Sequence, residues 1–535
     1  MTCCELHPRV MTPEDEAREL EGDPLDWVPP GELPRRSEVA AFYDGAAVLL
    51  TGATGFVGSL VLEKLLRSCP GVSTVYVLVR DKKGVPLRER LRSHLETVIF
   101  SEARMACPDY LRKVVPIAGD CTQPGLGISP DDAAELASKV SVFFHVAATV
   151  RFDADLRIAT VTNVSSTCEA VALMKRMSNL KAFVYMSTAY SNAPRDEIEE
   201  KFYPPGLKAE ELLKLIRIMD DEQLAQILPL LLGDWPNTYT FTKAVAEDVV
   251  RSGGSGLPVS IIRPSIVSST YHEPLALWAG NLYGPNAMGL GGAVGVLHAM
   301  SIDSNAMADG VPADMVANAT IACAWDTWCR HSKGTLIQQA SAEPVIFNCV
   351  STTRHPISWG QVINYAHYGR NFPSIRNFWI AYLFMFKAKF WYVTGAVLFH
   401  LIPAIIVDTF LYLKGIKPIL WNMYSRIHGA SQALEPFITR EWTFKDDNLA
   451  SLLGRMGAVD RKLFPCDIVD VDWEWFISNT ARGLRLYLLN ESFDTLEAAR
   501  KRYRRLVVLN HTLFATGSAL LLFKLWQILV AQIRV

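Results

Sequence analysis

Tyr239 and Lys243 lie four residues apart in the stretch Asn237-Thr238-Tyr239-Thr240-Phe241-Thr242-Lys243. That spacing puts both side chains on one face of a helix. A phenol beside an ammonium can give or take a proton, with the cation lowering the phenol's pKa and gripping a ribose hydroxyl. Some fifty residues upstream, the apolar run Ala182–Met186 ends in Ser187 and Thr188. Thr188, with Ser187 beside it, can hydrogen-bond an oxygen on which negative charge develops. The third feature is Thr51-Gly52-Ala53-Thr54-Gly55-Phe56-Val57-Gly58. Gly52 permits a tight turn out of a strand, Gly55 lets backbone amides approach a pyrophosphate, and Gly58 lets the following helix pack close. Together these groups suit hydride transfer to a carbonyl from a bound dinucleotide.

Elements of matching type surround them. Ala47–Leu50 reads as a buried parallel strand, Ser59–Arg67 as an amphipathic helix and Thr74–Val79 as a second strand. This is the strand-turn-helix-strand unit of a doubly wound fold, and it makes Thr51, Gly52, Thr54, Gly55, Phe56, Val57 and Gly58 the expected cofactor cradle. The second strand closes on Arg80, with Lys82 and Lys83 just beyond, where NAD-binding units usually carry an acid. Cations there suit a 2′-phosphate, so NADPH is expected. A third strand, Val114–Ala118, leads to Asp120 and Cys121 at the adenine side. The fourth, Val142–Ala148, closes on Ala147 and Ala148, small enough for the nicotinamide half to pass. His145 inside it reads as a packed core histidine rather than a proton carrier.

The glycine turn, the Ser187-Thr188 strand end and Tyr239-x-x-x-Lys243 resemble an extended short-chain dehydrogenase/reductase. The stretches around them are more particular and resemble the alcohol-forming fatty acyl-CoA reductases. They include Glu63–Pro70, His145–Asp153, Met186–Asn192, Ile262-Arg263-Pro264-Ser265, Val311–Asn318 and Tyr368–Ser374. The resemblance runs from about residue 40 to 500. It implies a Rossmann-type doubly wound parallel sheet and a mainly helical C-terminal domain. It also implies two-step reduction of a long-chain acyl-CoA to a fatty alcohol through a hemithioacetal and an aldehyde, with release of CoA. In that reading Thr188, Ser187, Tyr239 and Lys243 are catalytic, and Tyr239, Lys243 and Pro264 also touch NADPH. A membrane-bound extended reductase acting on a sterol or other lipid carbonyl is the alternative. Ser166 stands where family members usually have glycine in N-V-x-G-T, and Ala313 where they have valine in P-V-D.

Composition agrees. The chain has 535 residues, 50% hydrophobic and 20% charged, and a formal net charge of −2. That excludes intrinsic disorder and leaves no basic field for nucleic acid. Ten cysteines without a C-x-x-C pair suit neither a disulfide scaffold nor structural zinc. The expected divisions are an acidic leader to residue 40 (Cys3 and Cys4 read as reduced thiols), an NADP-binding reductase domain over 41–345, and a helical domain over 346–500. Within the last, the apolar region 378–413 holds 22 residues, Phe390 to Leu411, with Asp408 as the one formal charge. It can span, re-enter or line an acyl channel, and membrane-embedded or acyl-lining helices are favoured over a simple span. Leu506 to Val530 reads as a transmembrane helix. Five cations in Arg500–Arg505 hold its N-terminal side, and the catalytic domain, in the cytosol. The endoplasmic reticulum or peroxisome is the expected membrane; oligomeric state is open.

Overall fold

The computed structural model describes residues 37–81, 84–333 and 343–533. The leader with Cys3 and Cys4, and Lys82 with Lys83, lie outside the described residues. Seven parallel strands form the central sheet: β1 (Ala47–Thr51), β2 (Thr74–Val79), β3 (Val114–Ala118), β4 (Val142–His145), β5 (Ala182–Met186), β6 (Val259–Pro264) and β7 (Val345–Cys349). Their order is β7-β6-β5-β4-β1-β2-β3. Strand order reverses between β1 and β4, which opens a crevice at their carboxyl ends. β4 stops at His145, three residues before the expected end, and Ala147 and Ala148 sit in the loop beyond it. β7 belongs to the same sheet, so the sheet runs on past residue 345.

Helix α1 (Phe56–Ser68) starts at the glycine turn, and α2 (Thr238–Gly254) carries Tyr239 and Lys243. Glu63, Lys64 and Arg67, the charged residues of amphipathic α1, are buried. Helix α3 (Ala313–Lys333) packs over it. The charges survive burial by pairing: Arg67 with Glu63 at 2.7 Å, and Lys64 with Glu273 at 2.6 Å.

The remainder is mainly helical and shares the main core, since Ile438, Leu452, Trp473 and Phe476 join one apolar cluster with Val48, Leu50 and Val75. Within it a long apolar helix, α4 (Lys389–Leu413), turns back into α5 (Leu420–Thr439). The last helix, α6 (Leu496–Ile533), is 38 residues long, and its apolar window has no part buried in the protein.

Candidate active site

The cradle forms as the glycine spacing demands. Gly52 takes φ +76, and a Cβ there would sit 2.8 Å from the Ala147 nitrogen, so the β1 turn and the β4 loop touch across the crevice. A Cβ on Gly58 would lie 2.0 Å from the Gly52 carbonyl oxygen. Gly55 is the N-cap of α1 and brings no side chain to its first-turn amides, which leaves them for an anion. Thr54 and Gly55 face solvent, while the Phe56 ring stacks on Trp278 at 5.3 Å. The turn therefore fits a dinucleotide pyrophosphate. Thr51 is inside: its hydroxyl meets His145 Nδ1 at 2.8 Å and accepts the Ala147 N–H at 3.3 Å. It ties strand ends together and does not face the crevice.

That contact also fixes His145. The Thr51 hydroxyl, already an acceptor, can donate to Nδ1, which leaves Nε2 protonated. The ring is fully buried, stacked over Tyr185, and burial pushes its pKa down to about 3. It is a neutral core histidine, as expected.

At the carboxyl end of β2, Arg80 is exposed, and its carbonyl accepts from the Arg90 guanidinium, a second cation that strand-end reasoning missed. Burial, and then the Asp120 charge, push the Cys121 thiol up to about 11, with Arg80 pulling the other way from the end of the neighbouring strand. Asp120 accepts from the Thr122 amide at 2.9 Å and hydroxyl at 2.8 Å, so one of its oxygens holds the turn after β3.

Helix α2 begins at Asn237, whose side chain accepts the Thr240 amide at 2.9 Å. Tyr239 is half-buried in the first turn, its ring 5.7 Å from Phe152. Burial pushes its phenol up to about 12, and a hydrogen bond with Thr188 pulls the other way. The expectation that Lys243 lowers this phenol is not met. Lys243 is buried, and its ammonium donates to the Met186 carbonyl at 2.6 Å and the Tyr185 hydroxyl at 3.2 Å, both on β5. Burial pulls Lys243 down to about 7, against the upward pull of Glu247.

Ser187 and Thr188 part company. Thr188 lies near enough to Tyr239 to pull on its phenol, and its hydroxyl donates at 3.4 Å to the Pro264 carbonyl at the end of β6. The Ser187 hydroxyl donates to Glu247, as does that of Ser191 at 2.8 Å. Glu247 in turn pairs with Arg263 at 2.6 Å, both essentially unexposed. Ser187 therefore serves a buried ion pair behind the site and does not share the position of Thr188. The sequence held the signal: Glu247 follows Lys243 by four residues on the same helix face. Asn163 was also missed; it accepts the Thr149 amide at 2.9 Å and donates to Thr242 at 3.0 Å, binding the β4 loop to α2. Ser166, the glycine replacement, is accommodated by donating its hydroxyl to the Thr162 carbonyl.

An apolar cavity of about 200 Å³ opens beside these strand ends, walled by Ile266, Met288, Trp359, Tyr382, Phe476 and Leu484 among others. Ile266 also packs against the aromatic cluster of Tyr190 and Phe437, where Phe152 carries the contact on to Tyr239. No residue of α4 lines this cavity. Its walls come from Ile266, Ser268 and Ser269 and from helices and loops between residues 285 and 484.

An NAD-binding family model described as "Male sterility protein" matches residues 50–320, and a second, the Sterile model with the same description, matches 399–491. Fatty acyl-CoA reductase 1 of Rattus norvegicus is 35% identical over 92% of this chain and 94% of its own length. Fatty acyl-CoA reductase wat of Drosophila melanogaster is likewise 35% identical, over the same shares. Among solved structures, the terminal R domain of the myxalamid PKS-NRPS pathway is similar with a TM-score of 0.56 at 21% identity, covering 88% of this chain and 97% of that one. The reductase domain of a Mycobacterium tuberculosis nonribosomal peptide synthetase gives 0.51 at 17%, covering 88% and 99%. At such identities these two establish the fold.

Proposed function

The chain belongs to the fatty acyl-CoA reductase family, and from that premise we propose that it reduces a long-chain acyl-CoA to a primary alcohol with two NADPH, releasing CoA. The observation that carries the chemistry is the placement of Tyr239 near Thr188 at the carboxyl end of the sheet, where Thr188 opposes the upward push of burial on the phenol. Ile266, packed on the neighbouring aromatic cluster, links that end to the apolar cavity. NADPH, held by the Gly52–Gly58 turn with its 2′-phosphate toward Arg80, supplies one hydride for each reduction when bound. Each reduction leaves negative charge on the substrate oxygen. Thr188 donates to that oxygen, and Tyr239, protonated throughout the neutral range, delivers the proton. The first product is a hemithioacetal, which collapses to aldehyde and CoA; the second is the alcohol. Lys243 joins β5 to α2 and stands ready for the nicotinamide ribose. Helix α6 anchors the enzyme, its cationic start on the cytosolic side of the endoplasmic reticulum or peroxisomal membrane.

The test is product analysis of the full-length enzyme given labelled acyl-CoA with NADPH or NADH. Alcohol from NADPH is expected. Aldehyde as the sole product, or turnover of a sterol carbonyl but not of acyl-CoA, overturns the proposal. Tyr239→Phe should lower kcat by about 10²–10⁴-fold with NADPH binding retained.

A further inference from the structure

Helix α4 is built inside out relative to a water-facing helix. Its buried stripe, toward α5, holds the polar residues: His400 and Asp408, with Ala404 between them. Asp408 accepts the amides of Ile419, Leu420 and Trp421 at 2.8–3.0 Å, which closes the turn and caps α5. His400 accepts the His298 amide at 3.0 Å and stacks on Tyr424. The open face is apolar apart from Thr409: Phe390, Leu398, Ile405, Ile406 and Phe410 are 53–70% exposed. Polar groups toward the partner helix and apolar groups outward is the arrangement lipid selects.

Yet the contacts around α4 argue against a crossing. Its start is tied to the main body by the Lys387–Asp303 pair at 2.7 Å, and α5 returns to the same body, where Phe437 stacks on Phe152. A crossing would force α5 back through the hydrocarbon with Asn422, Ser425 and Arg426 exposed on its surface, groups that are costly there. Helix α6 leaves from the neighbouring segment, since Tyr503 accepts the Ala381 amide and Asn510 accepts from Trp379, each at 3.0 Å. Both apolar helices thus emerge at one place. Lys389, Lys414 and Lys417 lie exposed at the ends of α4, placed for anionic headgroups.

We propose that α4 is an in-plane membrane element, lying in the cytosolic leaflet with its apolar face in lipid while α5 returns on the water side. It is a second docking surface, independent of which reaction the enzyme performs.

Two measurements on the full-length protein test it. A glycan acceptor inserted after Gly415, in microsomes, should remain unmodified, whereas the same acceptor on a spacer after Val535 is modified; modification at Gly415 means α4 spans and overturns the proposal. An environment-sensitive fluorophore on Ile405→Cys or Phe410→Cys, in phosphatidylcholine–phosphatidylserine vesicles, should shift to the blue and be quenched by lipids spin-labelled near the headgroup. The same probe on Ser425→Cys should stay water-like. Two results at Ile405 and Phe410 overturn the proposal: a water-like probe, or a blue-shifted probe that lipid does not quench, which marks a protein partner instead. NADPH binding by each variant verifies that it is folded, and the two sites provide independent readings.

Discussion

Replacing Gly58 with alanine isolates the backbone contact on which the cofactor cradle depends. At an ordinary helical glycine this change stabilises by roughly 1 kcal/mol, because alanine is the better helix former. Here the new Cβ falls 2.0 Å from the Gly52 carbonyl oxygen and 3.1 Å from the Ala53 Cα, both backbone atoms of the turn. Side-chain rotation cannot relieve that overlap. To reach even 3.0 Å, α1 and the turn must separate by about 1 Å. Overpacking of this kind costs about 1–3 kcal/mol, and a misplacement of about 1 Å in a binding site costs on the order of 10²-fold. The NADPH dissociation constant, read by quenching of tryptophan fluorescence, should therefore rise about 100-fold, and the urea midpoint should fall. Gly55→Ala is the control. Its φ is −85, and its Cβ would sit 3.1 Å from the same oxygen, so a few tenths of an ångström of movement suffice. It controls for stability alone: its urea midpoint should stay near the parent value, because little of the turn has to move. If Gly58→Ala binds NADPH as tightly as the parent and is no less stable, the turn is not held by that contact and the cradle is wrongly placed.

Other perturbations separate the roles behind the site. Glu247→Gln leaves Arg263 buried without its counter-charge, and urea unfolding should show a loss of about 3–5 kcal/mol. Ser187→Ala should cost about 1 kcal/mol and leave turnover per folded molecule near the parent value, whereas Thr188→Ala should lower kcat. Burial pulls Lys243 down to about 7, so in the free enzyme it is neutral above that pH, and gripping a ribose through an ammonium requires proton uptake. The NADPH dissociation constant should then climb with pH between about 7 and 9, by up to tenfold per pH unit, and Lys243→Met should flatten the profile. The same depressed pKa means the unfolded chain binds the extra proton between about 7 and 10, so this residue's contribution to stability rises with pH through that window. Arg80→Asp combined with loss of Lys82 and Lys83 should raise the NADPH KM far more than the NADH KM; an unchanged preference assigns the 2′-phosphate elsewhere.

The sequence by itself determined whatever depends on near neighbours in the chain. Gly52, Gly55 and Gly58 prescribe their turn because backbone sterics act within a few residues. The apolar runs prescribe parallel strands because both faces of such a sheet are buried, and Tyr239 and Lys243 share a helix face because of a 3.6-residue period. The tertiary structure decided what those side chains meet. Adjacent Ser187 and Thr188 read as one pair of hydroxyls, but at a strand end successive side chains point opposite ways, and α2 crosses so that one meets Glu247 and the other Tyr239. Lys243 reads as the partner of Tyr239, but the carbonyl of Met186 lies closer. The cavity draws its walls from residues as far apart as Ile266 and Leu484, which no local pattern connects. In α4 the sequence shows an apolar run interrupted by His400 and Asp408, and a buried polar group carries meaning once its partner is known. Those partners, the His298 amide and the first amides of α5, are brought there by the fold.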